Sequence, residues 1–150
     1  MKKYRVLLVE DQPIFREGLK AVIQTHPEVA YVGEAVSAEE ALAQLQSGDF
    51  STLVTDLQLA QDTGFDLIAR AMAQDYSRKV VVLSTSKTVE DAISSIRKGA
   101  SAYMPKGASA GDLLQALDVV FGGGAYLHSE STQLLFREMR EEALLSAMQP

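Results

Sequence analysis

Val80-Val81-Val82-Leu83-Ser84 decides the fold of this chain. Four consecutive apolar residues, three of them β-branched, end in a hydroxyl. A strand that is apolar on both faces is buried on both, which is the habit of strands in parallel sheets. Working outward, the next segment carries Thr88 and Asp91 at capping-box spacing, then Ala92, Ile93 and Ile96, with Gly99 as a stop. Ala102 to Met104 reads as a short strand. Ser109 and Asp112 repeat the cap before Leu113, Leu114, Leu117, Val120 and Phe121, and Gly122-Gly123-Gly124 ends that helix. On the other side, Ser51 to Thr55 reads as a strand ending at Asp56, followed by a loop from Leu57 to Thr63. A helix from about Gly64 then carries Phe65, Ile68, Ala71 and Met72 on one face. Nearer the start, Tyr4 to Val9 is a buried strand, and Pro13 opens a helix with Phe15, Leu19, Val22 and Ile23 that stops before Pro27. Val29 to Val36 is a strand. Ser37 and Glu40 cap a helix carrying Ala41, Leu42 and Leu45, closed by Gly48.

Five strands alternating with five helices predict an α/β fold, a doubly wound (βα)5 domain with a parallel five-stranded sheet covered on both faces. Right-handed crossovers then put every strand's C-terminal end on one edge. In open α/β sheets, ligands bind along that edge.

Composition narrows the classes. The chain has 150 residues, 47% hydrophobic and 23% charged, which fits a globular chain with a sizeable core. It has no cysteine, so disulfide scaffolds, zinc-thiolate sites and cysteine nucleophiles are excluded. The two histidines, His26 and His128, are too few and too far apart in sequence for a histidine-rich metal site. A net charge of −6 gives no bulk electrostatic case for nucleic-acid binding. No apolar run reaches the length of a spanning helix, and Met1 to Arg5 leads into no signal-peptide core. The expectation is a soluble cytoplasmic protein with no membrane partner.

The strand ends gather the chemistry. Glu10 and Asp11 follow the first strand, Asp56 ends the third, Ser84 to Ser86 end the fourth, and Lys106 follows the fifth. Clustered carboxylates repel one another unless a cation sits among them. Oxygen ligands favour a hard ion such as Mg2+. A lysine and a hydroxyl alongside suit the oxygens of an anion, and a carboxylate is itself an acceptor that forms an aspartyl phosphate. Taken singly, each residue has an ordinary reading as a cap, a turn or a solvated side chain. Their convergence on one edge favours function.

Val9-Glu10-Asp11-Gln12-Pro13, Val54-Thr55-Asp56-Leu57, Val82-Leu83-Ser84 and Tyr103-Met104-Pro105-Lys106 resemble the receiver domain of two-component response regulators over about residues 3 to 122. The resemblance implies a CheY-like domain over 1–122, with the flavodoxin-like strand order 2-1-3-4-5, and a linker and amphipathic helical extension over 123–150. It implies a bacterial phosphorelay protein. Asp56 would accept a phosphoryl group from a sensor histidine kinase or phosphotransfer protein. Glu10, Asp11, Asp56 and the backbone carbonyl of Gln58 would hold Mg2+. Ser84 and Lys106 would bind the phosphoryl oxygens, and Ser84 with Tyr103 would form the switch. Gln58 and Ser86 would tune the lifetime of the phosphoryl group. Such a domain is no enzyme in the usual sense, since it catalyses only its own phosphorylation and dephosphorylation. Two features depart from the pattern. Leu59-Ala60 stands where Met-Pro is frequent, which could loosen the loop from Leu57 to Thr63. Gly107 stands where proline often follows the lysine, which removes the usual reason for a cis peptide.

Three rival functions fit less well. A nucleotide-binding domain would place glycines where Glu10-Asp11-Gln12-Pro13 stands. An aspartyl-phosphate phosphatase of the haloacid-dehalogenase type would carry an aspartate where Gln58 stands. A degenerate receiver, serving as an unphosphorylated interaction module, would not need the full set of site residues. Beyond the core, Ala125-Tyr126-Leu127 is short and apolar. From Ser129 a helix is expected with Leu135, Phe136, Met139, Ala143, Leu144 and Met148 as an apolar stripe that needs a cover: its own domain, a homodimer or a further domain. Ile14-Phe15-Arg16-Glu17-Gly18-Leu19-Lys20 resembles the NarL/LuxR branch, whose helix-turn-helix output controls transcription. Contact with DNA would then run only through an output domain outside this chain.

Overall fold

The computed structural model describes residues 2–59 and 63–149. Their order is β1 (Tyr4–Val9), α1 (Pro13–Gln24), β2 (Val29–Ala35), α2 (Ala38–Ser47), β3 (Thr52–Asp56), α3 (Gly64–Gln74), β4 (Lys79–Ser84), α4 (Val89–Lys98), β5 (Ala102–Pro105), α5 (Ala110–Phe121), β6 (Tyr126–Leu127) and α6 (Ser129–Met148). The strands are parallel, in the order β2-β1-β3-β4-β5-β6. The sheet therefore has the flavodoxin-like order with a sixth strand beyond the five expected. Tyr126 and Leu127 pair with Ala102 and Tyr103 on the outer edge of β5. A two-residue strand carries no periodicity, so sequence alone could not reveal it.

The core explains the strand sequences. Leu7, Val9, Leu53, Val80 and Val82 face one layer, where Leu42 and Leu45 of α2, Leu67 and Ile68 of α3 and Ala92 of α4 meet them. Their neighbours Val6, Leu8, Val54, Val81 and Leu83 face the other layer, against Ile23 of α1 and Leu113, Leu117 and Val120 of α5. Both faces are sealed, so β3 is buried along its whole length, whereas the edge strand β2 leaves Ala30 and Tyr31 exposed.

Helix starts follow the expected caps to different degrees. Ser37 and Thr88 each accept one backbone N–H, from Glu40 and Asp91. Only Ser109 and Asp112 bond in both directions. Gly99 ends α4 with φ of +122°, a conformation that a side chain would strain. Buried Arg78 ties the lower ends of α2 and α3 together by donating to the carbonyls of Leu45, Phe50 and Ala71.

Candidate functional site

Each strand ends where its apolar run meets a polar residue, and four of those ends converge. Asp56, the last residue of β3, is 4% exposed. Its Oδ1 accepts the backbone N–H of Gln58 at 3.0 Å, and its Oδ2 accepts the Lys106 ammonium at 2.8 Å. Lys106 Nζ also stands 2.6 Å from Glu10 Oε1 and donates to Gln12 Oε1 at 3.3 Å. The ring of Phe15 lies beneath this ammonium, 4.6 Å from it. Arg16 donates to the Glu10 carbonyl at 2.9 Å and so fixes the turn that presents Glu10 and Asp11.

Electrostatics here are those of charges removed from water. Glu10 is fully buried, and desolvation pushes its carboxyl above the usual range; Lys106 opposes that, while the nearby Asp56 adds to it. Burial pulls Lys106 down, but its hydrogen bonds to Asp56 and Glu10 outweigh burial and leave it above its ordinary value. Glu10 Oε1 is held by the Lys106 ammonium, and Glu10 Oε2 accepts the Gln12 N–H at 3.2 Å.

Ligand-type oxygens of Glu10, Asp11 and Asp56 all lie within 4.8 Å of one another. Three carboxylates this close, an all-oxygen set, fit a hard divalent cation such as Mg2+. A second group with such spacing, His26, Glu28 and Asp118, is different. Both ring nitrogens of His26 already have partners, Asp118 and the Glu28 N–H.

Opposite Asp56, Ser84 is buried. Its Oγ accepts the Ser86 N–H at 2.9 Å and the Gln58 side-chain amide at 3.3 Å. Gln58 Oε1 takes both the N–H and the hydroxyl of Thr85, at 3.2 and 3.1 Å. The Gln58 side chain therefore spans from the β3–α3 loop to the β4–α4 loop. Tyr103 is buried, and burial raises its pKa, with the Ser84 and Ser86 side chains beside its hydroxyl pulling the other way.

All the residues singled out in the sequence thus surround one edge. Three contributors lay outside that reading, Gln12, Phe15 and Arg16, and Thr85 stood on the edge in it without a role. Only Gln12, just before the Pro13 that opens α1, carried a positional hint. Gly64 supports the site from behind. A Cβ there would stand 2.8 Å from Leu57 Cα and 2.9 Å from the Asp56 carbonyl oxygen, so only glycine lets α3 start this close to the end of β3. Part of the looser loop expected from Leu57 to Thr63, with Leu59-Ala60, falls on residues 60–62, outside the described residues. Peptide bonds are trans throughout the described residues, including the one before Gly107. An apolar groove of about 680 Å3 opens beside the site, between α1 and the start of α5.

A parallel doubly wound sheet with acidic residues, a lysine and a hydroxyl at its C-terminal edge defines a CheY-like receiver architecture. The comparisons agree. The sequence matches the response regulator receiver domain over residues 6–118. It is 30% identical over 135 residues to the nitrate/nitrite response regulator protein NarL of Escherichia coli (strain K12), covering 90% of this chain and 62% of the relative. It is 31% identical over 140 residues to the transcriptional regulatory protein MctR of Rhizobium johnstonii, covering 93% and 65%. The structure of a two-component response regulator of the LuxR family from Aurantimonas sp. SI85-9A1 superposes with a TM-score of 0.87 at 26% identity, covering 92% of this chain and 99% of that one. This chain belongs to the response regulator receiver family, in its NarL/LuxR branch. It spans less than two thirds of the length of the curated relatives named here. Among the described residues no helix is long and apolar enough to cross a membrane.

Proposed function

We propose that residues 1–122 form a phosphoacceptor domain that takes a phosphoryl group on Asp56 in a Mg2+-dependent reaction, and that residues 123–150 link it to an output. One observation carries this reading: a nearly buried aspartate at a strand end has an ammonium on one oxygen and two further carboxylates beside it. The donor is a phosphohistidine on a sensor kinase or phosphotransfer protein. The apolar groove, with Ile14 and Phe15 on its rim, gives such a protein a seat beside the acceptor.

In the transfer, a carboxylate oxygen of Asp56 bonds to phosphorus as the bond from phosphorus to the histidine nitrogen breaks, and the imidazole leaves with that electron pair. Glu10, Asp11, Asp56 and the Gln58 carbonyl would hold Mg2+, which supplies charge neutralisation at the phosphoryl oxygens when bound. Lys106 follows the new charge from the carboxylate to a phosphoryl oxygen. Ser84 turns toward the same oxygens, and its bonds to Gln58 and to the Ser86 N–H give way. Gln58 and Ser86 flank the path by which water would reach the phosphoryl group, and thereby set its lifetime. The movement of Ser84 is transmitted through Tyr103 to α4, β5 and α5, a population shift rather than a new fold. The chemistry is self-directed, so the chain is a signalling domain and not a turnover enzyme. Transcription is the output, through a DNA-binding domain outside this chain, with a homodimer as the assembled form and the cytoplasm as its compartment.

Amide spectra with and without phosphorylation test the switch. Shifts across Ser84 to Phe121 are expected, and identical spectra there would refute it. Lys106→Ala is expected to lower phosphoryl uptake by at least about tenfold. It also leaves the buried Glu10 and Asp56 carboxylates without their ammonium, so the urea midpoint falls too, and uptake is compared on folded protein. Uptake unchanged in folded Lys106→Ala would contradict that role.

A further inference from the structure

Glu10 and Asp11 stand on a turn that is held from outside the site. The ladder of β1 with β3 ends at Val9 and Thr55, so the carbonyl of the buried Glu10 lies beyond its last rung. Arg16 Nη1 donates to that carbonyl at 2.9 Å. The same guanidinium reaches the other way, its Nε donating to Glu34 Oε1 on β2 at 3.3 Å. Lys20, one turn along α1, donates to Glu34 Oε2 at 3.0 Å. That bond first, then the charges of Lys20 and Arg16, hold the Glu34 carboxyl below its ordinary value, so it stays an anion. Glu34 is fixed in turn, since its carbonyl accepts the Gln44 side-chain amide of α2 at 2.7 Å. Next to it, the Ala35 carbonyl accepts the Glu10 N–H at 3.1 Å.

The Glu10 backbone is therefore tied to β2 twice, directly by its N–H and through Arg16 by its carbonyl. Any donor could satisfy a buried carbonyl. A guanidinium also sets a direction: it is planar and rigid, so once Nε is seated on Glu34 the aim of Nη1 is fixed. The Arg16 side chain is 17% exposed, so water competes little for either bond. Mg2+ takes near-octahedral ligands at about 2.0–2.1 Å and tolerates little displacement of them. Groups behind the ligands then govern affinity by orienting them. Coulomb's law acts in the opposite sense. A guanidinium beside the site repels a cation, so on charge alone the loss of Arg16 would strengthen binding.

We infer that Arg16, anchored on β2 by Glu34, is a positioning residue for the divalent cation. It contributes no ligand atom. It fixes the turn from which Glu10 and Asp11 reach Mg2+, and thereby sets the affinity of the site from the opposite side of α1. The inference rests on the reading of Glu10, Asp11 and Asp56 as the Mg2+ ligands. Position and charge make opposite demands on this one side chain, and position outweighs charge because Glu34 already offsets the charge of the guanidinium.

Titration of the full 150-residue chain with MgCl2, followed in amide spectra at Asp11 and Asp56, reads the affinity without any phosphorylation. Asp11→Asn is the control. Arg16→Lys keeps the charge, but one ammonium cannot span both acceptors, and it is expected to raise the Kd by about tenfold. Glu34→Asp keeps its charge and loses reach. It is expected to raise the Kd by about threefold, and it keeps the test decisive if the Arg16 variants do not fold. Arg16→Gln is expected to weaken binding although it removes a repelling charge. The double variant of Arg16→Lys with Glu34→Asp is expected to lose no more than Arg16→Lys alone. A lower urea midpoint with the Kd of the folded variants unchanged would make Arg16 a structural residue only and overturn the inference. Tighter binding by Arg16→Gln would do the same, by assigning its effect to charge, and losses that add in the double variant would remove Glu34 as the anchor. Each of these leaves the Mg2+ reading standing. No Mg2+-dependent shift in wild type would overturn that reading, and this inference with it.

Discussion

Helix α5 is pinned at each end by a histidine, and the two joints share one geometry in unlike surroundings. In His26-Pro27-Glu28 and His128-Ser129-Glu130, the histidine Nδ1 accepts the backbone N–H two residues on, at 3.1 and 3.4 Å. In each, Nε2 meets a carboxylate of α5, Asp118 at 2.6 Å and Asp112 at 3.2 Å. An N–H donated to Nδ1 leaves the ring proton on Nε2, where it donates to the aspartate. What differs is burial. His26 is 3% exposed and meets the Phe121 ring edge-on, with centroids 5.1 Å apart. His128 is only half-buried and holds the extension, not the core. The His26 ring is closed off from water, whereas the His128 ring stays partly open to it.

The largest expected effect breaks the core joint. His26→Ala removes a packed ring and two hydrogen bonds and is expected to cost about 2–4 kcal/mol in urea unfolding. A loss below about 0.5 kcal/mol would show that burial does not separate the joints. His128→Ala is expected to cost about 1 kcal/mol or less overall, because water replaces its partners, while amide exchange in the first turns of α6 quickens. A global loss as large as that of His26→Ala would remove the distinction. The smallest effect is acid dependence. Hydrogen bonding to His128 holds the Asp112 carboxyl below its ordinary 3.8. A depressed carboxyl stabilises the fold above its unfolded value and loses that contribution as pH falls through the folded one. The difference in urea midpoint between wild type and His128→Ala should therefore shrink below pH 3.8. A difference that persists there would assign the effect to packing.

The same contrast shows what the sequence could reveal. Val80 to Leu83 declared a buried parallel strand because both faces of the sheet are sealed and its residues alternate between the two core layers. Glu10, Asp11, Asp56, Ser84 and Lys106 were legible for a topological reason: parallel strands deliver their ends to one edge. β6 was not, since two residues cannot show a period. The direction of α6 was not either, because its apolar residues spread around the helix and Phe136, Met139 and Met148 stay exposed. The span of Gln58 across to Thr85 depends on a side-chain path between two loops, which spacing does not encode. His26 and His128 read only as too few and too far apart in sequence for a metal site, and their pairing with α5 needed the fold.

The central claim is that Asp56 accepts a phosphoryl group. Intact mass after incubation with a small acyl phosphate and Mg2+, for wild type and Asp56→Asn, tests it most directly. The account predicts one added phosphoryl group on wild type and none on the variant. Equal gain on both would place the acceptor elsewhere, and no gain on well-folded wild type would contradict the account and leave an unphosphorylated interaction module in its place.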